Sequence, residues 1–396
     1  MKATFFHDTL LFYNEKDVYS VSFSYEVWQR YLKVFDYLVV VARYRETRDF
    51  DTSRLKKSSG ANVSFTKVPN FKSMRTLYKY FEARKIIEEE VKKADAIIVR
   101  NSTIGNIAVK YAIKYQKPYA YEIVGCPWDA LWNYGNIQGK ILAPFAYLRT
   151  KKIAKNSKFT LYVTENFLQN RYPTKGYSIG CSDVFLSMTE EKVLTNRIEK
   201  INNMNLEKRI KIGMIGALTS KYKGFDLAIK STKELNKKYN NVELHILGGG
   251  DESKWEKLAK KEKIMDKVFF DGTLPGGNPV FEWIDNIDIF IQPSKQEGLP
   301  RALLEAMSRG CPAIGSKTGG IPELLDKRLI HKKGNYKDLT KKIIFLISNK
   351  EIMIEQAKKN FETSKNYSKD VLDEKRTGFW KEFRKYIESE KSKKTL

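Results

Sequence analysis

A chain of 396 residues with 42% apolar and 13% aromatic side chains holds enough for two domain cores, which excludes a disordered chain and a small single-core one. Its formal charge of +25 is divided about evenly between the two halves. It therefore admits nucleic acid, an anionic membrane surface or phosphorylated small molecules as partners and singles out none.

The start, MKATFFHDTL, reads as a first strand over 3–6 and not as a signal peptide. Further strands are predicted at 37–42, 63–68, 95–99, 119–124 and 159–163, with helices at 73–92 and 103–115. A charged stretch without a strand, 187–209, reads as the connection between domains. Strands resume at 210–215, 242–247, 267–270, 287–292 and 312–316, with helices at 224–238 and 300–309. From Asn335 onward the pattern is helical. The segment 370–390 is amphipathic, with Trp380 and Phe383 on its apolar side, and is expected to pack back on the first domain. Alternation of strands and helices predicts an α/β protein with two Rossmann-like parallel-sheet domains, 1–195 and 196–368, followed by a returning helix at 369–396. Cys126, Cys181 and Cys311 are too few and too scattered for a disulfide scaffold or a zinc site. No apolar run reaches the roughly 18 to 20 residues of a membrane span. The expected location is cytoplasmic, with peripheral contact at the inner face of the cell membrane open to it.

In open parallel sheets, ligands bind beyond the carboxyl ends of the strands. In the second half those ends carry GALTSKYKG (216–224), GGGD (248–251), PSKQEGLP (293–300) and KTGGIPE (317–323). Three of the four are glycine-rich, and the first supplies Lys221 and Lys223, which suits a phosphorylated ligand. In QEGLPRALLEAMSRGCP (296–312), Pro300 can open a helix and Gly310 can stop it. Glu297 then precedes the helix, and Glu305 lies about one and a half turns inside. A carboxylate there can accept hydrogen bonds from both ribose hydroxyls, or it can pair with Arg301 and Arg309, each four residues away.

The run PSKQEGLPRALLEAMSRGCPAIGSKTGGIPELL (293–325) resembles the signature of the family-4 retaining glycosyltransferases of GT-B fold. IGALTSKYKGFDLAI (215–229) and LHILGGGDE (244–252) are similar to its preceding segments. In the first domain, VGCPWDALW and YVTENFLQNRYP resemble members that build bacterial capsules and surface polysaccharides. The resemblance implies a nucleotide-diphosphate sugar held by the second domain and a saccharide acceptor met by the first; a lipid-linked saccharide would be a natural acceptor for a chain resting on an anionic leaflet. Glu305 would bind the ribose, and Glu297 with the backbone of Gly298 and Leu299 would meet the sugar and phosphates. Lys223 would neutralise the leaving diphosphate where Gly216 allows close approach. Glu297 and Lys223 are thus the implied catalytic pair. The resemblance implies no metal and no further cofactor.

Two positions depart from the family pattern. Ala217 stands where many members have an arginine, with Lys221 as the nearby substitute. Val124 and Gly125 stand where many have a histidine. The strand-end rule turns His7–Asp8, Arg43, Arg100–Asn101, Val124–Asp129 and Thr164–Glu165 toward the cleft, and the segment 18–28 follows the first strand. Ser22, Arg100 and Asp129 are the acceptor-side candidates from that set. The segments 70–85 and 139–155 combine apolar and cationic residues that could rest on an anionic leaflet. Two other function classes stay open on sequence. One is a nucleotide-sugar epimerase or phosphorylase on the same scaffold. The other is a basic nucleic-acid-binding protein, against which the aromatics lie in apolar strands and helix faces, so no nucleic-acid partner is expected.

Overall fold

The computed structural model describes residues 1–14, 16–46, 55–187 and 189–395. Met188 of the expected connection and Leu396 of the expected last segment lie outside the described residues.

The first sheet has nine strands: β1 (Lys2–Tyr13), β2 (Val18–Ser20), β3 (Tyr37–Glu46), β4 (Lys56–Lys57), β5 (Val63–Val68), β6 (Ala96–Arg100), β7 (Tyr119–Ile123), β8 (Phe159–Tyr162) and β9 (Tyr177–Gly180). Seven of them run parallel in the order β5-β3-β1-β6-β7-β8-β9. The strand order reverses between β1 and β6. Helix α1 (Tyr25–Leu32) covers one face, and α2 (Tyr80–Lys93), α3 (Thr103–Lys114) and α5 (Ile137–Asn156) cover the other. The short helices α4 (Pro127–Trp132) and α6 (Phe167–Arg171) follow the carboxyl ends of β7 and β8.

This sheet is not wholly parallel, as the strand–helix alternation predicts. β1 runs well past residue 6: its register with β3 shifts between Phe6 and Leu10, and Leu11–Tyr13 then pair antiparallel with β2. β2 in turn pairs antiparallel with β4. The cause is local. Asp8 turns its carboxylate to the amides of Thr103 and Ile104, bulging the strand, while the apolar run beyond resumes the ladder. Asn14 folds the chain back by accepting from the Lys16 and Asp17 amides.

The second sheet is entirely parallel: β10 (Ile210–Ile215), β11 (Val242–Leu247), β12 (Val268–Phe270), β13 (Ile289–Gln292), β14 (Ala313–Ser316) and β15 (Ile330–His331). Its order is β12-β11-β10-β13-β14-β15, so it repeats the pattern of the first, with reversal between β10 and β13. The α7 (Glu191–Asn202), α8 (Phe225–Asn236), α9 (Ser253–Glu262), α13 (Tyr336–Ile347) and α14 (Lys350–Lys365) helices contribute to one core; α10 (Asn278–Asn286), α11 (Arg301–Ser308) and α12 (Ile321–Leu324) pack on the opposite face.

The final helix, α15 (Lys369–Thr395), returns to the first domain. Phe379, Trp380, Phe383 and Ile387 complete the core that holds Phe5, Trp28, Tyr31 and Phe35. The two chain crossings lie side by side, with the Leu186 amide donating to the Tyr367 carbonyl. Beside them Asp183 pairs with Arg30, Arg100 and Arg376.

Candidate active site

The reversal between β10 and β13 opens a crevice at their carboxyl ends, where helices depart to opposite faces. Three glycines let the loops close over it. A Cβ on Gly248 would stand 2.0 Å from the Gly216 carbonyl oxygen, and one on Gly224, whose φ is +83°, would stand 2.2 Å from that of Pro293. Gly216 lies against the stem of Lys223, at 3.0 Å from its Cγ by the same construction.

Lys223 reaches from the β10 loop to the β13 loop. Its Nζ donates to Glu297 Oε1 at 2.8 Å. The same oxygen accepts from Gln292 Nε2 at 3.0 Å and from Ser294 Oγ at 2.7 Å. Gln292 and Ser294 are buried, so Glu297 is fixed by two neutral donors and one cation. No partner of Oε2 is found among the described residues. Gln292 was legible as the one polar residue ending an apolar strand; the Ser294 contact had no sequence signal.

Pro300 is the N-cap of α11 and not its first helical residue, with ψ at 118°, and Gly310 follows the helix at a φ of +58°. Inside α11 the two readings of Glu305 separate. Arg309 is taken by Asp285, with Nε to Oδ1 at 2.9 Å, and among the described residues no ion pair reaches Glu305. Burial raises the pKa of its carboxyl, and Arg301 only partly opposes the shift. The acid is thus half-buried with no ion-pair partner among the described residues.

The loop bearing Glu297, Gly298 and Leu299 meets the first domain. A Cβ on Gly298 would stand 3.2 Å from the Val124 carbonyl oxygen and 4.0 Å from Val163. The backbone of Val124 thus comes beside the loop after β13, at the position where the family histidine is absent. The Gly320 amide donates to the Gly298 carbonyl at 2.7 Å, and a Cβ on Gly320 would stand 2.8 Å from Leu299 and 3.1 Å from Thr164. Lys221 also reaches across: its Nζ comes within 3.6 Å of the point a Cβ on Gly135 would occupy.

Glu323 forms a contact that sequence reasoning missed. From α12 its carboxylate accepts the amides of Glu165 at 2.7 Å, Asn166 at 3.1 Å and Phe167, all at the start of α6 in the first domain. One acid of the second domain therefore caps a helix of the first.

The acceptor-side candidates do not form one group. Ser22 is exposed in the turn before α1. Asp129 faces Arg171 at 3.8 Å. Arg100 is 8% exposed, its Nε donates to Glu122 at 2.9 Å, and its Nη2 pairs with Asp183 at 3.0 Å. Its place at the end of β6 is as expected, but long-range acids turn it into the protein. Arg43 likewise spends Nε and Nη2 on the Asp8 carbonyl.

Residues 196–363 match the family described as Glycosyl transferases group 1. Protein CapJ of Staphylococcus aureus is 33% identical over 98% of this chain and 97% of its own length. The chain belongs to the group 1 glycosyl transferases. The amylovoran biosynthesis glycosyltransferase AmsK of Erwinia amylovora is 29% identical over 38% of each protein. The N,N'-diacetylbacillosaminyl-diphospho-undecaprenol alpha-1,3-N-acetylgalactosaminyltransferase of Campylobacter jejuni is 28% identical over 43% of this chain and 44% of its own. Among solved structures, sucrose-phosphate synthase of Thermosynechococcus elongatus superimposes with a TM-score of 0.65 at 14% identity, covering 97% of this chain and 99% of its own. HepE of Anabaena, solved with UDP, gives 0.61 at 14% identity over 95% and 98%. Those likenesses show that this glycosyltransferase has the GT-B fold.

Proposed function

We propose that this glycosyltransferase moves a hexose-type sugar, with retention of configuration, from a nucleoside-diphosphate donor to a lipid-linked saccharide in the assembly of a bacterial surface polysaccharide. The observation that carries this reading is the Lys223–Glu297 pair at the reversal point of the second sheet. The AmsK and Campylobacter names, and the UDP in HepE, support the pathway, the acceptor class and the donor class respectively.

In this reading Glu305 accepts the ribose hydroxyls, and Gly298 and Leu299 offer backbone amides to sugar and phosphate. Glu297 Oε2 is left for a sugar hydroxyl while Oε1 holds Lys223 in place. Lys221 flanks the pocket from the cleft side, and Ser22 and Asp129 stay as acceptor-side candidates without Arg100. The acceptor hydroxyl attacks the anomeric carbon on the face that the diphosphate leaves. Its proton passes to a leaving phosphate oxygen as the new glycosidic bond forms and the bond to phosphate breaks. Lys223 stabilises the charge that develops on the diphosphate, so the step calls for no metal and no cofactor. Closure of the cleft keeps water from the donor.

A thermal-shift series with UDP-, GDP- and ADP-sugars tests the donor, because a ligand of the folded state raises its melting temperature. The expected result is stabilisation by one nucleotide class, followed by nucleoside diphosphate release that requires an acceptor. Stabilisation by none of them, or release at the same rate without acceptor, overturns the reading.

A further inference from the structure

Helix α5 hides its small residues and shows its large ones. Gly139, Ala143, Thr150 and Ala154 are buried. Ile137, Ile141, Phe145 and Leu148, which share the opposite face, are 76%, 59%, 61% and 61% exposed. A surface helix held by its own apolar stripe has the reverse pattern. Trp132 at the end of α4, Tyr134 in the turn that follows it, and Leu142 beside the ridge are exposed as well. Seven of the eighteen exposed large apolar side chains among the described residues therefore fall within one helix and its lead-in, a concentration that marks an interaction surface.

The charge around this ridge identifies what it meets. From Ala130 to Thr164 there is no Asp or Glu, while Lys140, Arg149, Lys151, Lys152, Lys155 and Lys158 are all present. A second copy of the chain would set these cations against their own kind, and an anionic surface complements them. A second apolar group, Leu77, Tyr78 and Phe81, is exposed at the start of α2, on the same side of the first sheet and next to Arg75 and Lys79. Among the described residues no helix is long and apolar enough to cross a membrane, so the arrangement is one for lying on it.

A cavity of about 310 Å³ opens beside α5. Leu142, Phe145 and Arg149 form its helix side, and Asn101, Ser102 and Thr103, at the carboxyl end of β6, form part of its polar wall. Residues of α5 and residues at the carboxyl end of β6 thus border one space.

We propose that α5 is the surface through which this glycosyltransferase rests on an anionic lipid leaflet. Its ridge enters the boundary between headgroups and acyl chains, its cations meet lipid phosphates, and the cavity opens toward the leaflet to admit the head of an amphiphilic acceptor. This deepens the reading above, from which it takes the lipid-linked acceptor.

Flotation of the full chain with phosphatidylcholine vesicles, with and without phosphatidylglycerol, tests it. Ile137→Asp/Ile141→Asp removes the ridge at two exposed sites outside the cavity, and Lys151→Glu/Lys152→Glu reverses charge without touching the ridge. The expected result is flotation with anionic vesicles only, weakened by salt, and reduced at least about tenfold in each variant. Transfer to a water-soluble acceptor stays at the wild-type rate in both. No flotation of the wild type at low salt overturns the proposal, as does undiminished flotation of both variants. A ridge variant that turns a dimer into a monomer in light scattering, with lipid binding unchanged, also overturns it and makes the face a contact between copies. Failure of the wild type to transfer to the soluble acceptor would instead count against the catalytic reading and leave the flotation result standing.

Discussion

Lys223 Nζ and Glu297 Oε1 stand 2.8 Å apart, so a cation from the loop after β10 is held by an acid of the facing loop. The carboxylate keeps Gln292 and Ser294 as donors when the lysine is removed. Lys223→Ala is therefore expected to fold, at a cost of about 2 kcal/mol for the lost charged hydrogen bond. Its turnover should fall about 100-fold, as for loss of one donor to a developing negative charge. Steady-state kinetics at saturating donor, with a melting curve alongside, decide the matter. Turnover near wild type in Lys223→Ala would remove the lysine from catalysis.

Glu305 predicts a trade between stability and binding. Its raised pKa means that the folded protein holds the proton more tightly than the unfolded chain does. The stability this gives is present at low pH and is lost as pH rises through the folded-state value. Glu305→Gln, which never ionises, should melt about 2 °C higher than wild type at neutral pH without ligand. The same change should weaken donor binding about tenfold, since a neutral amide accepts less strongly than a carboxylate. Calorimetric titration checks both, together with a loss of wild-type affinity on acidification that begins above the usual glutamate range. A variant that binds donor as tightly as wild type would refute the ribose assignment.

Across the cleft, Glu323 satisfies amides at the start of α6 that would otherwise lack partners. Glu323→Ala should cost about 1 kcal/mol, the usual worth of a helix cap. Because donor and acceptor of these bonds sit on different domains, small-angle scattering should also show a larger radius of gyration. An unchanged scattering profile with normal turnover would show that the contact does not govern closure.

His7 gives the acid side of the stability profile. Burial, with Arg100 next, lowers its pKa to about 3, while neighbouring Asp8 pulls the other way. Its imidazole is neutral in the folded state where an unfolded histidine takes a proton near about pH 6.5. The unfolded chain therefore binds more protons, and stability falls as pH drops below that value. His7→Gln, which can still accept from the Thr9 amide, should narrow the difference in urea midpoint between about pH 7 and pH 5. An identical difference in the variant would exclude His7 as the source.

The sequence was most legible in strands whose buried apolar residues recur at every second position. The expected strands at 210–215 and 242–247 coincide with β10 and β11. It was least legible where a distant partner decides. His7 and Asp8 look like the end of a strand, and only the amides of Thr103 and Ile104 show that they form a bulge within it. Arg100 sits at the edge the strand rule selects, yet Glu122 and Asp183 turn it inward. Glu323 reads as part of a glycine turn until the residues at 165–167 are seen beside it. The Lys223–Glu297 meeting could be anticipated because each follows a strand next to the reversal point, which places both loops over one crevice.

The aromatic residues of α15 impose an order on biosynthesis. Trp380 lies 5.4 Å from the Tyr31 ring and Phe383 lies 5.2 Å from that of Phe159, between centroids, so the first sheet borrows part of its covering from a helix translated after the second domain. While the second domain is still being made, the nascent first domain presents an aromatic surface to solvent, the kind of surface that chaperones shield. The α/β unit formed first is thus finished only after the second domain has been made, when residues 369–395 become available to complete its core.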